Sequence, residues 1–198
     1  MAFPDRLRLP LTFDPARLRR DLEAAEARDW IEHFVRQNYE GDWSVIPLRS
    51  VAGSHDLHPV MQIYSDPEAT AFEDAPALEA CPYFREVLGA FPRELRCVRL
   101  MRLTAGSMIK EHTDVGLDAE SGTVRIHVPI TTNPGVMFEV NRREVPMRAG
   151  EAWYLRLSDP HRVWNRGATD RVSLVVDADF GPGMQALLSE ADALQRAV

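Results

Sequence analysis

Two histidines, an aspartate and an arginine in the second half of the chain have the types and spacing of an open metal site. His112 and Asp114 are two residues apart, His161 follows later, and Arg171 comes ten residues after that histidine. Residues i and i+2 of an extended segment point to the same side, so His112 and Asp114 can reach one ion together. Two imidazoles and one carboxylate on one face of a six-coordinate ion leave other positions open, as in non-haem Fe(II) oxygenases. These residues therefore predict an iron site that takes a co-substrate.

The composition is that of a folded chain with an excess of acidic residues. Of the 198 residues, 45% are hydrophobic, and 30 acidic against 23 basic residues give a net charge of −7. Such a chain can bury a sizeable core as one domain. No run of Lys or Arg forms a basic stripe, which argues against nucleic acid and anionic membranes as partners. We expect a small-molecule substrate, and the oligomeric state stays open, with a homodimer among the alternatives.

The cysteines and the apolar runs indicate in which cellular compartment the protein is expected. Cys81 and Cys97 are too few for a disulfide framework and too far apart for a zinc knuckle, so both are expected as reduced thiols. No apolar run approaches the ~18–20 residues of a membrane span. The N-terminus also lacks the charged-then-apolar pattern of an export signal. We therefore expect a cytoplasmic protein.

The N-terminal part, residues 1–94, is expected to supply helices and loops that support the metal-bearing region. Asp14-Pro15 has the residue types that start a helix, and an apolar face continues that helix to about Gln37. Residues 51–74, rich in Ser, His, Asp and Pro, predict a long irregular loop. Loops of this length often carry function. A second helix is predicted over 76–91.

Beyond residue 95 the pattern predicts short strands separated by turn residues such as Asn133-Pro134-Gly135 and Asp159-Pro160. The predicted strands are 97–103, 123–131, 136–140, 144–147, 152–157, 162–165 and 171–177. Short strands at this spacing favour a barrel or sandwich over alternating βαβ units. A final helix is predicted over 182–197.

Several motifs in the strand-rich region resemble those of one known family. They are His112-x-Asp114, Arg125-x-His127-x-Pro129, Gly150-Glu151-x-Trp153, His161-x-Val163-x-Asn165 and the segment from Arg171 to Asp177. Together they resemble the aspartyl/asparaginyl β-hydroxylases, a family of Fe(II)/2-oxoglutarate dioxygenases whose bacterial members include free proline hydroxylases. The resemblance implies a mainly β fold with flanking helices, namely the double-stranded β-helix, also called a cupin-like jelly-roll barrel. It also implies one dioxygenase domain over 1–198, with a jelly-roll core at 95–180 between the N-terminal support (1–94) and a C-terminal helix (181–198).

The resemblance assigns roles to the residues of the open metal site. It implies that His112, Asp114 and His161 bind Fe(II) and form the catalytic centre. Arg171 would bind the distal carboxylate of 2-oxoglutarate, because a guanidinium can offer a carboxylate two parallel hydrogen bonds. Dioxygen is the remaining co-substrate that such chemistry requires.

Arg125 and His127 lie two residues apart on one predicted strand and so share a face. The resemblance places this pair beside the metal, in contact with the co-substrate carboxylate nearest the iron. An arginine that bridges to a carboxylate on a neighbouring strand is the structural alternative for Arg125.

Arg102 and Trp153 are the candidates for substrate contact, although Arg102 could equally face solvent and Trp153 could belong to the core. Arg99 and Arg102 differ in strand parity, so at most one of them faces the interior. A buried arginine needs an anionic partner. We therefore expect a small substrate with a carboxylate, such as a free amino acid like proline, and hydroxylation of an unactivated C–H bond.

Two alternatives remain open from the sequence. A peptidyl Asp or Asn side chain could be the substrate of the same chemistry. A cupin-like metal protein without redox turnover could share the strand pattern. Such proteins usually add ligands, three or four histidines with a glutamate, and need no arginine ten residues after the last histidine.

Overall fold

The computed structural model describes residues 3–92 and 94–197, and these residues form two β-sheets, with three of the four helices packed on the outer face of the larger sheet. The strands are β1 (Arg6–Thr12), β2 (Ile31–Glu32), β3 (Tyr39–Glu40), β4 (Trp43–Val51), β5 (Phe72–Asp74), β6 (Leu95–Leu103), β7 (Met108–His112), β8 (Thr123–Thr131), β9 (Val136–Val140), β10 (Arg143–Glu144), β11 (Glu151–Leu155), β12 (His161–Asn165) and β13 (Arg171–Asp179). The helices are α1 (Pro15–Ala25), α2 (Pro59–Ile63), α3 (Pro82–Leu88) and α4 (Pro182–Arg196), with 3₁₀ turns at Arg36–Asn38 and Pro76–Ala80.

The larger sheet has the strand order β1-β11-β8-β13-β6-β4-β2, with β5 also paired to β4, and the smaller sheet has the order β10-β9-β12-β7-β3. Every strand pair named here is antiparallel, and consecutive strands repeatedly cross from one sheet to the other. The mainly β jelly roll expected from the sequence is confirmed. The two sheets form separate ladders, so the arrangement is an open sandwich and not a closed barrel.

The central strands of the larger sheet are buried on both faces, and alternation decides which residue faces which side. On β6, Val98 and Leu100 pack with the helices, whereas Met101 and Leu103 pack with the smaller sheet. Full burial of one such side chain stabilises the fold by about 1.5–3 kcal/mol. The space between the two sheets is therefore apolar, and any polar side chain that enters it needs a specific partner.

The first predicted helix is shorter than expected. Asp14 caps it as predicted, its side chain accepting hydrogen bonds from the N–H groups of Ala16 and Arg17. The helix ends at Ala25 and not near Gln37, because Ile31–Glu32 pairs with the edge of β4 instead of continuing the helix. Pairing with a sheet edge has overridden the helical periodicity of this segment.

Two other N-terminal predictions were incomplete. The irregular loop of 51–74 contains the short helix α2 and the edge strand β5. The helix predicted over 76–91 is divided into a 3₁₀ turn and α3, because Pro82 begins a new helix and cannot continue the previous one. The final helix ends at Arg196, within one residue of its predicted end.

Two further expectations concerned membrane-spanning segments and the state of the two cysteines. Among the described residues, no helix combines the length and the apolar character needed to cross a membrane. Cys81 and Cys97 are both buried free thiols, as predicted.

Candidate metal centre

The structure brings the three predicted ligands together between the sheets. His112 is the last residue of β7 and His161 is the first of β12, and the two residues are direct partners in the antiparallel ladder. Asp114 follows β7 in a loop that is tied back by a hydrogen bond from its N–H to the carbonyl of Leu157 (2.8 Å). One potential ligand atom from each of the three side chains lies within 4.8 Å of the others. In the described part of the chain, no other group of three such residues meets this test.

Backbone carbonyls fix the orientation of both imidazoles. The Nδ1 atom of His112 lies 2.7 Å from the carbonyl of Lys110, and that of His161 lies 3.0 Å from the carbonyl of Asp159. Because a carbonyl only accepts, each Nδ1 carries the proton and each Nε2 keeps a free lone pair. Those Nε2 atoms lie 3.7 and 4.0 Å from the Asp114 carboxylate. Burial, and then His112, lower the pKa of His161 to about 4, so the neutral form needed for metal binding is present at neutral pH.

Arg125 binds Asp114, the carboxylate of this group, and links it to the larger sheet. Its Nε and one terminal nitrogen donate to the two oxygens of Asp177 (2.6 and 2.9 Å), and the other terminal nitrogen donates to Asp114 Oδ2 (3.0 Å). Asp177 lies directly opposite Arg125 on β13. The bridge to a neighbouring strand, the structural alternative for Arg125, is thus present. Contact with a co-substrate stays a prediction.

Arg171 is buried without a carboxylate partner. Arg171 is 4% exposed, and the described residues place no acidic group within ion-pair distance and no hydrogen-bond acceptor on one terminal nitrogen. Burial lowers the pKa of Arg171 to about 10, which still leaves the guanidinium charged at neutral pH. The ring of Phe138 lies beside it, with its centroid 5.6 Å from the guanidinium carbon. A buried cation of this kind calls for an anion from outside the chain.

His127 lies in the same recess. It is 5% exposed, and both of its ring nitrogens lack a partner among the described residues. Burial, and then Arg171, keep the pKa of His127 well below its ordinary value. A small cavity of about 30 Å³ is lined by both residues and by the three candidate ligands. The recess therefore joins an unsatisfied cation and an unsatisfied imidazole to the His-Asp-His group.

A larger cavity of about 530 Å³ adjoins the recess, and the two share Trp43, Met101, His112, Asp114 and Arg125 in their walls. Its aromatic wall is formed by His33 and Trp43, whose rings are parallel with centroids 3.6 Å apart. Arg99 and Asp177 lie in its polar wall, while residues 63–67 contribute the side formed by the long N-terminal loop.

The profile of one protein family, described as Aspartyl/Asparaginyl beta-hydroxylase, matches residues 13–179. The chain belongs to this family. Membership confirms the resemblance that the sequence motifs carried, and the match reaches well beyond the motif-bearing strands into the N-terminal part.

Curated relatives narrow the comparison to the bacterial members of the aspartyl/asparaginyl β-hydroxylase family. The chain is 27% identical over 186 residues to L-proline cis-3-hydroxylase 1 from a Streptomyces species, covering 92% of this chain and 63% of the relative. It is 26% identical over 167 residues to L-proline cis-4-hydroxylase from Rhizobium meliloti, covering 83% of this chain and 57% of that one. The chain thus spans less than two thirds of the length of these relatives.

A solved structure supports the fold. A 2OG-Fe(II) oxygenase family oxidoreductase from Burkholderia pseudomallei superposes with a TM-score of 0.54 at 19% identity, covering 90% of this chain and 87% of that chain. At this identity the likeness concerns the jelly-roll fold alone.

One predicted substrate residue of this family member lies away from the candidate metal centre. Arg102 points to the outer face of β6, where its Nε donates to Ser44 Oγ (3.1 Å) and its guanidinium stacks 4.4 Å from the ring of Trp30. Strand parity is the reason, because Met101 and Leu103 occupy the inner face. The inward arginine is Arg99, which was not named as a site residue, because parity excluded only that both arginines face inward.

The second candidate for substrate contact, Trp153, faces the space between the sheets but lies in the wall of neither cavity that adjoins the ligand group. Its indole N–H donates to Glu151 Oε2 (3.0 Å). The sequence pattern gave no sign of His33 as a cavity residue, whereas Ser65 belongs to the loop of 51–74, which was expected to carry function. Both lie in the N-terminal half, outside the strand-rich motifs.

Neutral buried histidines should make the metal-free protein less stable in weak acid. Burial, and then Arg99, lower the pKa of His33 to about 3, and His127 is shifted in the same direction. A histidine whose folded pKa is depressed binds fewer protons folded than unfolded, so its stabilising contribution is complete above about pH 6.5 and is lost as pH falls. Each such histidine should remove up to about 1.4 kcal/mol of unfolding free energy per pH unit below that value.

Urea unfolding of the metal-free protein at pH 7.5, 6.5 and 5.5 measures this loss. We expect His127→Leu to lower the slope of unfolding free energy against pH in the acid range by about 1.4 kcal/mol per unit. An unchanged slope in that variant would show that His127 is protonated in the folded protein.

Proposed function

We propose that this protein is an Fe(II)/2-oxoglutarate-dependent dioxygenase that hydroxylates a C–H bond of a small amino acid related to proline. The observation that carries the proposal is the buried, unpartnered guanidinium of Arg171 in the recess beside the His-Asp-His group. A cupin-like protein without a co-substrate would have no use for this cation. The names of the curated relatives support proline or a similar molecule as the substrate. The free thiols of Cys81 and Cys97 suit a reducing, cytoplasmic setting.

The residues present fit the groups that this function requires. His112, Asp114 and His161 would hold Fe(II), since two imidazoles and one carboxylate with further positions open form the donor set of such enzymes. Arg171 would hold the distal carboxylate of 2-oxoglutarate, with His127 as a further polar contact. When bound, iron, 2-oxoglutarate and dioxygen together supply the oxidising power for hydroxylation, and 2-oxoglutarate is converted to succinate and carbon dioxide.

The chain's own contribution is orientation and exclusion of water. The carbonyls of Lys110 and Asp159 keep both imidazoles turned with Nε2 toward the centre. Ile109, Phe138 and Val163 form the apolar wall of the recess and are nearly inaccessible to solvent. In so dry a setting, a charged hydrogen bond to Arg171 is stronger than it would be in water.

Arg99 is the residue in the larger cavity best placed to meet a substrate carboxylate. It is 4% exposed and donates to Asp177, which it shares with Arg125, while Arg125 also donates to Asp114. The guanidinium of Arg99 lies in the cavity wall, where it can offer charged hydrogen bonds to a carboxylate that enters. The volume of about 530 Å³ falls in the range of small-molecule sites, and the His33–Trp43 wall offers a flat apolar surface to a ring. We therefore propose Arg99, in place of Arg102, as the substrate cation.

A pair of variants tests this assignment. Arg99→Met should raise the KM for the amino-acid substrate by ~10-fold or more, the loss expected for a charged hydrogen bond, with little change in the KM for 2-oxoglutarate. Arg102→Met alters the same strand on its outer face and serves as the matched control. Equal effects of the two substitutions on the substrate KM would rule out Arg99 as the substrate cation.

The reaction itself is tested by incubating the protein with Fe(II), 2-oxoglutarate and air in the presence of free amino acids or short Asp- and Asn-containing peptides. We expect proline or a related amino acid to stimulate succinate release and to gain one oxygen atom by mass spectrometry. Stimulation by peptides alone would transfer the protein to the peptidyl branch of the chemistry. Absence of succinate with every compound, in protein that binds the metal, would favour the non-redox alternative.

A further inference from the structure

A chain of polar contacts leads from the candidate metal ligand Asp114 to the wall of the larger cavity. Arg125 joins Asp114 to Asp177, and Arg99 joins Asp177 Oδ2 (3.2 Å) to the hydroxyl of Ser65. Asp177 is 2% exposed and Arg99 is 4% exposed. Because these contacts are buried, salt screens them much less than it screens surface ion pairs.

Asp114 depends on this chain for its orientation. It lies beyond the end of β7, and its side chain is 31% exposed, unlike the buried side chain of His161. Arg125 donates to Oδ2, which lies 4.0 Å from the Nε2 atom of His161, whereas Oδ1 has no guanidinium partner and lies 3.7 Å from the Nε2 atom of His112. A carboxylate with one oxygen engaged by a guanidinium presents the other oxygen to an ion, which favours coordination through a single oxygen. Coordination of that kind leaves one more position of the ion open than a two-oxygen mode would.

Asp177 in turn determines where the guanidinium of Arg125 lies. Its two oxygens accept from Nε and one terminal nitrogen of Arg125, a two-pronged contact that defines the plane of the group as well as its distance. Only the remaining terminal nitrogen is free to reach Asp114. Burial alone would raise the pKa of Asp177, but the adjacent Arg125 lowers it to about 2, so this carboxylate stays charged.

We propose that Asp177 is a positioning residue of the metal centre, which acts through Arg125 to hold Asp114 with one oxygen toward the ion. The inference rests on the proposed function, because it takes His112, Asp114 and His161 as the ligands. Asp177 itself makes no hydrogen bond to the three ligand side chains, as its side-chain hydrogen bonds in the described residues are with Arg125, Arg99 and Ser65. Outer partners of this kind commonly change metal affinity or activity by about 10- to 100-fold.

The test is a double-mutant cycle read by Mn(II) binding, in which electron paramagnetic resonance follows the loss of the free-ion signal. Asp177→Asn and Arg125→Gln should each weaken Mn(II) binding by ~10-fold or more. Because both residues act through the same contact, the Kd of the double variant should not exceed the higher of the two single-variant Kd values. Asp179→Asn is the matched control, because Asp179 ends the same strand in an exposed pair with Arg96. Wild-type affinity in folded Asp177→Asn protein, or additive losses in the double variant, would overturn the proposal.

Asp177→Asn leaves Arg99 without its carboxylate and Arg125 with Asp114 alone. Since loss of this buried charge can prevent folding, Arg125→Gln provides a second test. In that variant Asp177 retains Arg99 as its counter-charge. Thermal melting establishes that the variant is folded, and wild-type Mn(II) affinity in it would equally overturn the proposal. His112→Ala distinguishes failure of the ligand assignment from failure of the positioning role of Asp177. If its Mn(II) affinity equals that of the wild type, the ligand assignment fails. If its binding is lost while Asp177→Asn and Arg125→Gln bind normally, only the positioning role fails.

Discussion

Replacing His112 or His161 by alanine is expected to abolish 2-oxoglutarate turnover, with a loss of more than about 100-fold, beyond the range found for outer partners of metal ligands. Each imidazole supplies one of three protein donors, and each already has its Nε2 lone pair directed at the centre by a backbone carbonyl. Two remaining donors would hold the ion weakly and with the wrong set of open positions. Succinate release in the presence of substrate measures turnover.

The same variants should still fold. The paired strands β7 and β12 are held by their backbone ladder, and His112 is only partly buried, so its truncation leaves no closed cavity. Glu111→Ala, next to His112 on the same strand and solvent-exposed, is the matched control and should keep full turnover. Full activity in folded His112→Ala or His161→Ala protein would remove the metal assignment.

Local patterns in the sequence, together with the family resemblance, predicted which three side chains lie together. The spacing of His112 and Asp114 requires only that the chain be extended there, and the strand that carries His161 has the β-rich composition of a half-buried segment. The strands 123–131 and 136–140 were predicted to the residue, since turn residues bound both of them. Strand β7 was not predicted, because the consecutive charged residues Lys110 and Glu111 interrupt its apolar pattern.

Features that depend on pairing between distant segments were not predictable in this way. Arg125 and Asp177 are separated by 52 residues, and only the register between β8 and β13 places them opposite each other. Likewise, the end of α1 at Ala25 depends on the edge of β4, which offers hydrogen-bond partners to Ile31 and Glu32. The inward direction of Arg99 required knowledge of which face of β6 meets the smaller sheet, and parity alone left that choice open.

Arg171→Met is expected to raise the thermal stability of the protein while it weakens the binding of 2-oxoglutarate. Methionine has a similar length and no charge, so the variant no longer buries an unpartnered guanidinium between the sheets. Replacement of buried charges by apolar groups of similar volume can stabilise a protein by about 1–4 kcal/mol. A gain of about 1–2 kcal/mol would raise the Tm of the protein without co-substrate by roughly 2–8 °C at this chain length. The same substitution should raise the KM for 2-oxoglutarate by ~10- to 150-fold, which corresponds to the loss of a charged hydrogen bond that contributes ~1.5–3 kcal/mol.

Thermal melting with and without 2-oxoglutarate, in the presence of Mn(II), distinguishes this account from a purely structural role for Arg171. The wild-type protein should gain about 2.7 kcal/mol of stability at a co-substrate concentration one hundred times its Kd, whereas Arg171→Met, with a Kd ~10- to 150-fold higher, should gain only about 0.3–1.4 kcal/mol at that concentration. Arg171→Lys keeps the charge but loses the two-pronged geometry, so it should lie between the two. Arg166→Met, an exposed arginine in the turn before β13, is the matched control and should respond as the wild type does. A structural arginine would show the opposite pattern, because Arg171→Met would then lower the Tm and leave the response to 2-oxoglutarate unchanged.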